Sequence, residues 1–298
     1  MKSQKGISGK LFSSLGQNNV NIRAIAQGAS ERNISIIVDK KNTKKALNSL
    51  HETFFEDDLK DIHVFITGVG NVGGFLMEQI KNQKEFIAKN LKLNLKVLGI
   101  SNSRKMIISS TEIDLNNWSE LLNKSKLNAD YKEFQDKILE LNLRNTLFVD
   151  NTASDVIPST YMKYLKSGVG IITCNKIANS GKYSNYKLLK SLSRNNNSPF
   201  FYETNVGAAL PVISTLNNLI NSGDKIVKIE AVLSGTLNYI FNSFQEPNTF
   251  HQIVSKAVEM GFTEPDPKID LCGIDVSRKI LILARESGFN IEFDDVSK

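Results

Sequence analysis

His63-Val64-Phe65-Ile66-Thr67 runs directly into Gly68-Val69-Gly70-Asn71-Val72-Gly73-Gly74, and a helical pattern begins at Phe75. An isolated GxGxxG says little. Between a strand and a helix it has a mechanical reading. Gly68 permits the tight turn, Gly70 lets a pyrophosphate approach the backbone, and Gly73 allows close helix–strand packing. Asn71 and Val72 belong to the same phosphate loop, and the positive end of the helix that follows would meet the phosphates. A glycine-rich turn with no ligand is the plainer alternative, and the strand-to-helix context weighs against it.

Outward from this loop the pattern repeats. Strands are expected at Leu95 to Ile100, Thr146 to Asp150, Gly170 to Thr173 and Phe200 to Glu203, with helical stretches between them. That alternation predicts an α/β fold with a Rossmann-type, doubly wound parallel sheet over residues 59–203. The second strand ends Ser101-Asn102-Ser103-Arg104-Lys105. An NAD site usually places a carboxylate there for the ribose 2′-hydroxyl. This chain offers Arg104 and Lys105 instead, which could receive a 2′-phosphate or be plain surface charges. NADP is the favoured cofactor, with NAD as the alternative.

Further strand ends carry more candidates. Val149-Asp150-Asn151-Thr152 presents hydroxyls near the position of a nicotinamide ribose, and Thr173-Cys174-Asn175-Lys176 places a lysine where open α/β sheets bind ligands. Lys176 could serve the cofactor, move a proton, or be a surface lysine. Glu203-Thr204-Asn205-Val206-Gly207-Ala208-Ala209-Leu210-Pro211 is a small-residue loop of the kind that exposes carbonyl oxygens, hard ligands for a cation. A simple turn is the alternative.

Flanking segments differ in character. Residues 1–58 predict a compact αββα module, with Thr43 as a helix N-cap and the acidic run Glu56-Asp57-Asp58 as a linker. Residues 204–298 predict an α+β domain, with a strand from Lys225 to Leu233 and a helix from Leu271 to Ser287. On that helix Asp275 and Lys279 are four apart and share a face, with Asp270 near its start. Two prolines hold Glu264 in an extended turn just before it. Such charges suit a small polar substrate, although for this segment alone an N-terminal cap and an ordinary ion pair on a solvated helix is the preferred reading.

Composition narrows the class. Over 298 residues the chain is 41% hydrophobic and 23% charged, ordinary for a globular protein. Its net charge of +6 comes from scattered lysines, so no nucleic-acid partner is expected. The two cysteines, Cys174 and Cys272, form no disulfide framework. No run approaches the roughly 18 apolar residues of a spanning helix. A soluble, cytoplasmic protein without a membrane partner is expected, or an organellar one if a transit peptide precedes it on a longer precursor.

Taken in order, these segments resemble homoserine dehydrogenase from about Ile62 onward. Ser234-Gly235-Thr236-Leu237-Asn238-Tyr239-Ile240-Phe241 and Gly261-Phe262-Thr263-Glu264-Pro265-Asp266-Pro267 are specific signatures of that family. Asn21 to Arg32 resembles the second ACT module of bifunctional aspartokinase/homoserine dehydrogenase. The resemblance implies that L-homoserine and L-aspartate 4-semialdehyde are interconverted. It implies that Lys279 moves the hydroxyl proton, that Glu264, Asp270 and Asp275 line the substrate site, and that Lys176, Thr152 and Gly261 serve the cofactor. Glu203, Val206, Ala208 and Leu210 resemble a sodium site. Gln27 resembles an effector contact, with L-threonine the inhibitor, and a homo-oligomer is expected.

Cys174 and Asn151 depart from the family pattern without removing a catalytic group. The chain also lacks an aspartokinase domain and would end inside the substrate domain. The competing expectation is therefore a truncated, non-catalytic remnant whose ACT module binds an amino acid or mediates assembly. Retention of Glu264, Asp270, Asp275, Lys176 and Lys279 favours the enzyme. A cysteine-dependent semialdehyde enzyme is disfavoured, because neither cysteine has an evident base partner.

Overall fold

A computed structural model describes residues 5–28, 33–55, 59–245, 247–263 and 267–297. Helix α1 (Ile7–Gln17), strands β1 (Ile22–Gln27) and β2 (Ile34–Val38), and helix α2 (Thr43–Phe55) realise the expected αββα order. The two strands pair antiparallel. Leu11, Leu15, Val20 and Ala46 form the module's own small core. Thr43 does not cap α2: it has helical angles and continues from a 3₁₀ turn at Lys40–Asn42.

The larger sheet contains β3 (Lys60–Thr67), β4 (Leu93–Ser101), β5 (Met106–Ile108), β6 (Thr146–Asp150), β7 (Gly170–Thr173) and β8 (Phe200–Phe201), ordered β5-β4-β3-β6-β7-β8. β3 pairs parallel with both β4 and β6, β7 pairs parallel with β8, and β5 lies antiparallel at one edge. This is the Rossmann-type arrangement. The first strand of the nucleotide-binding segment has its successors on opposite sides, the switch point at which such sheets open a crevice. Phe65 and Ile66 are fully buried, as expected of a central parallel strand covered on both faces; each such side chain stabilises by about 1.5–3 kcal/mol. Helix α3 (Asn71–Phe86) sets Met77 and Ile80 against Val64, Ile66, Val97 and Ile100.

The intervening and following helices are α4 (Trp118–Lys124), α5 (Tyr131–Leu141), α6 (Tyr161–Lys166), α7 (Ile177–Ser180), α8 (Tyr183–Asn195), α9 (Val212–Asn221), α10 (Gly235–Ser243), α11 (Phe250–Glu259), α12 (Pro267–Leu271) and α13 (Ile274–Glu286). The chain divides into two compact units, residues 1–172 with 189–201, and residues 173–188 with 202–298. Lys176 therefore belongs to the second unit.

Two expectations for the C-terminal segment change. Residues 225–233 form no strand, because their backbone finds no ladder partner among the described residues, and Val227 is 96% exposed. The single helix expected from Leu271 is interrupted, since Gly273 takes φ +71° and separates α12 from α13. Asp270 sits on α12, before the break that precedes the helix of Lys279. No helix among the described residues is long and apolar enough to cross a membrane.

Candidate active site

In the first unit the glycine loop is built against the end of β6. Gly68 has φ +87°, and a Cβ there would stand 2.8 Å from Thr152 Cγ2 and from the Asn151 carbonyl carbon. A Cβ on Gly73 would come within 2.1 Å of the Gly68 carbonyl oxygen, so only glycine lets α3 start this close to β3. At Gly70 a Cβ would meet nothing within 4 Å. The space above Gly70 is open, and α3 begins there without a side-chain cap. Its first amides are oriented for an anion. Asn71 and Val72 form that first turn, with Val72 exposed.

A cavity of about 360 Å³ adjoins the loop, lined among others by Gly68, Ser101, Asn102, Ser103, Thr152 and Tyr131. Asn102 Oδ1 accepts from the amides of Arg104 (2.8 Å) and Lys105 (2.7 Å), which fixes the turn after β4. Lys105 donates to Asn128 Oδ1 at 3.4 Å. Buried Asp150 anchors the β6 end: it accepts from the Thr152 amide (2.8 Å) and from the Tyr161 hydroxyl (2.6 Å).

The second unit gathers three of the sequence-expected charges. Asp275 Oδ1 lies 3.1 Å from Lys176 Nζ, and its Oδ2 lies 2.7 Å from Lys279 Nζ. The side chains of Lys176, Asp275 and Lys279 are 21%, 13% and 17% exposed. Lys279 also donates to the Leu233 carbonyl at 2.8 Å. Burial by itself would raise the Asp275 carboxyl. The Lys279 hydrogen bond and the charge of Lys176 outweigh it and hold the group below the ordinary carboxylate range.

Lys176 is held by a dense local framework. Its carbonyl accepts from the amides of Asn179 and Ser180 and from the Ser180 hydroxyl. Fully buried Asn179 and Asn205 extend this: Asn179 Nδ2 donates to Asn205 Oδ1 at 2.9 Å, and Asn205 Nδ2 to the Thr173 carbonyl at 3.1 Å. Neither asparagine, nor the Leu233 carbonyl, was singled out from sequence. Asn205 lies within the loop quoted from Glu203, whereas Asn179 lies three residues beyond Lys176. A backbone acceptor leaves no residue-type signal at all.

Other expected residues are placed as follows. Asp270 is buried on α12. Gly261 follows α11 with φ +70°. Glu264 lies outside the described residues. Both Glu203 carboxylate oxygens accept amides at the start of α9, Ile213 at 2.7 Å and Ser214 at 2.9 Å. Val206 is buried, Leu210 is exposed, and the Leu210 carbonyl accepts from the Val212 amide at 2.9 Å. Ala208 is exposed beside them. Gln27, exposed at the end of β1, accepts from the Ser8 hydroxyl at 3.3 Å.

Residues 68–203 match the family described as homoserine dehydrogenase, NAD binding domain, and residues 211–298 match homoserine dehydrogenase. The chain belongs to the homoserine dehydrogenase family. Residues 1–54 match the ACT domain. A bifunctional aspartokinase/homoserine dehydrogenase 2, chloroplastic, of Zea mays is 43% identical over 297 residues, covering 99% of this chain and 32% of that protein. The homoserine dehydrogenase of Schizosaccharomyces pombe is 38% identical over 240 residues, covering 78% of this chain and 63% of that protein. A hyperthermophilic archaeal homoserine dehydrogenase solved in complex with NADPH is 26% identical with a TM-score of 0.65, covering 76% of this chain and 70% of that one. This homoserine dehydrogenase chain thus spans about a third of the length of its bifunctional plant relatives.

Proposed function

We propose that this chain is the homoserine dehydrogenase portion of a bifunctional aspartokinase/homoserine dehydrogenase, interconverting L-homoserine and L-aspartate 4-semialdehyde with NADP. The observation that carries the proposal is the Lys176–Asp275–Lys279 cluster, with Lys279 also held by the Leu233 carbonyl. The organisation we assign is an ACT-like module at 1–58, a nucleotide-binding domain at 59–203 and a substrate domain at 204–298.

Gly68, Gly70, Asn71, Val72 and Gly73 take the pyrophosphate, as the open space at Gly70 and the uncapped start of α3 support. Thr152 and Gly261 serve the ribose and nicotinamide end. Arg104 and Lys105 face the 2′-phosphate, which favours NADP over NAD. The bound nicotinamide supplies a hydride to the aldehyde carbon, or removes one in the reverse direction.

The remaining chemistry belongs to the chain's own residues. As the aldehyde carbon gains hydride, its oxygen gains negative charge and needs a proton. The Lys279 ammonium donates one to that oxygen, and the resulting amine takes it back in the oxidative direction. Asp275 and the Leu233 carbonyl fix the direction in which that nitrogen points. Lys176 adds a second positive charge to the same carboxylate. Glu264 pairs with the substrate ammonium, and Asp270 completes the polar lining.

L-Threonine acting through Gln27, and assembly into a homo-oligomer, are the regulatory part of the same proposal. The compartment is a reducing one, cytoplasm or plastid, in keeping with two free cysteines. The test is NADPH oxidation with aspartate 4-semialdehyde by the parent and by Lys279→Ala. Turnover that collapses in the variant is expected. Absence of turnover in a folded parent would overturn the proposal in favour of a non-catalytic remnant.

A further inference from the structure

The start of β3 lies at the opposite end of the strand from Gly68. There the first unit opens a cavity of about 870 Å³, bordered by α1, α2 and the starts of β3, β6 and β7. Among the described residues its charged lining consists of Lys10, Lys45, Lys60, Arg144 and Glu52. Arg144 and Glu52 neutralise each other at 2.5 Å, which leaves three ammonium groups.

These three differ. Lys60 is exposed, and Lys10 lies over the Phe54 ring, 5.4 Å from its centroid. Lys45 is only 9% exposed. Its contact is the neutral Asn142 Oδ1 at 3.4 Å, and no ion pair joins it among the described residues. Burial holds its ammonium below the ordinary lysine value, with no carboxylate among the described residues acting against it. A charge kept from water without a counter-charge is a standing cost that an anion relieves. Gln27 does not line this cavity.

We propose that this cavity binds a small oxyanion, a phosphate or carboxylate group, with the Lys45 ammonium as its principal counter-charge and Lys10 and Lys60 as outer cations. The proposal is independent of the dehydrogenase reading.

The test is calorimetric titration of inorganic phosphate, and separately of succinate, into the full chain at constant ionic strength, with chloride as control. Saturable binding of at least one anion is expected. It should weaken by about tenfold or more in Lys45→Met and persist in Lys45→Arg. The anion that binds identifies the source, and Lys45→Gln replaces the Met variant should that fail to fold. An anion lodged at the glycine loop would bind parent and variant alike. Equal binding, or none beyond the chloride control, overturns the proposal. Binding that emerges only in E56Q/D57N/D58N would give these cations to the chain's own carboxylates, and overturns it too.

Discussion

Asp275 stands one helical turn before Lys279 on α13, and its Oδ2 lies 2.7 Å from the lysine Nζ while its Oδ1 holds Lys176 at 3.1 Å. One carboxylate thus orients two cations that are 103 positions apart in sequence (279 − 176). Lys279→Ala removes the proposed proton donor but leaves α13 intact. We expect kcat for NADPH oxidation to fall by about 10²–10⁴, with secondary structure by circular dichroism unchanged.

The same carboxylate predicts a pH dependence of stability. Its folded-state pKa is depressed below the ordinary 3.8, so the unfolded chain takes up protons first on acidification. The stabilisation is present above 3.8 and is lost as pH falls through the depressed value. Urea melts between pH 6 and pH 3 should show an acid loss in the parent that is smaller in Asp275→Asn. Identical slopes in both would contradict the ion-pair account.

At the glycine loop two substitutions should separate folding from binding. Gly73→Ala places a Cβ 2.1 Å from the Gly68 carbonyl and should destabilise by several kcal/mol. Gly70→Ala meets open space. Its stability should stay within about 0.5 kcal/mol of the parent, while its KM for NADPH rises. A Gly70→Ala variant with parental KM would show that the pyrophosphate does not lie there.

Cofactor choice should follow Arg104 and Lys105. Both turn amides are held by Asn102 Oδ1, so the side chains can be removed without losing the turn. The double alanine variant should lower the NADPH-to-NADH ratio of kcat/KM by about tenfold or more, the loss of one to two charge-assisted contacts. An unchanged ratio would make them surface charges.

A buried network at the other end of α13 supports an alkaline prediction. Glu286 Oε1 accepts from the hydroxyls of Tyr186 (2.6 Å) and Tyr202 (2.5 Å). Burial, followed by the Glu286 charge, pushes both phenols well above their ordinary value. A raised folded-state value means stability present below about pH 10 and lost as pH rises beyond it. Tyr202→Phe should cost about 1–3 kcal/mol at neutral pH and show a shallower loss of stability above pH 10, read from thermal melts.

The glycine loop and its strand were legible because each requirement maps onto a residue type: a buried run, a glycine at positive φ, a glycine where a Cβ cannot fit. Asp275 and Lys279 were legible through helical spacing. The extended reading of residues 225–233 failed for a definite reason. Val227, Ile229 and Ala231 alternating with Lys228 and Glu230 encode two faces but cannot encode a partner strand. The break at Gly273 was also hidden, since helical periodicity survives across it from Leu271 to Ile274. Glu203 illustrates the non-local limit: its carboxylate caps a helix whose donating amides lie ten and eleven residues on. Leu233 contributes only a carbonyl, which every residue has.

Arg285 and Glu286 give α13 a second kind of significance. Arg285 donates to the carbonyls of Asn179 and Ile291 and pairs with Glu292, while Glu286 anchors two tyrosines. The helix is therefore tied at its far end to α7, the one-turn helix that follows Lys176. Those contacts oppose sliding or rotation of the helix that carries Asp275 and Lys279. Substitutions at positions 285 and 286 should then disturb the Lys279 end of the helix although neither residue belongs to the charge cluster.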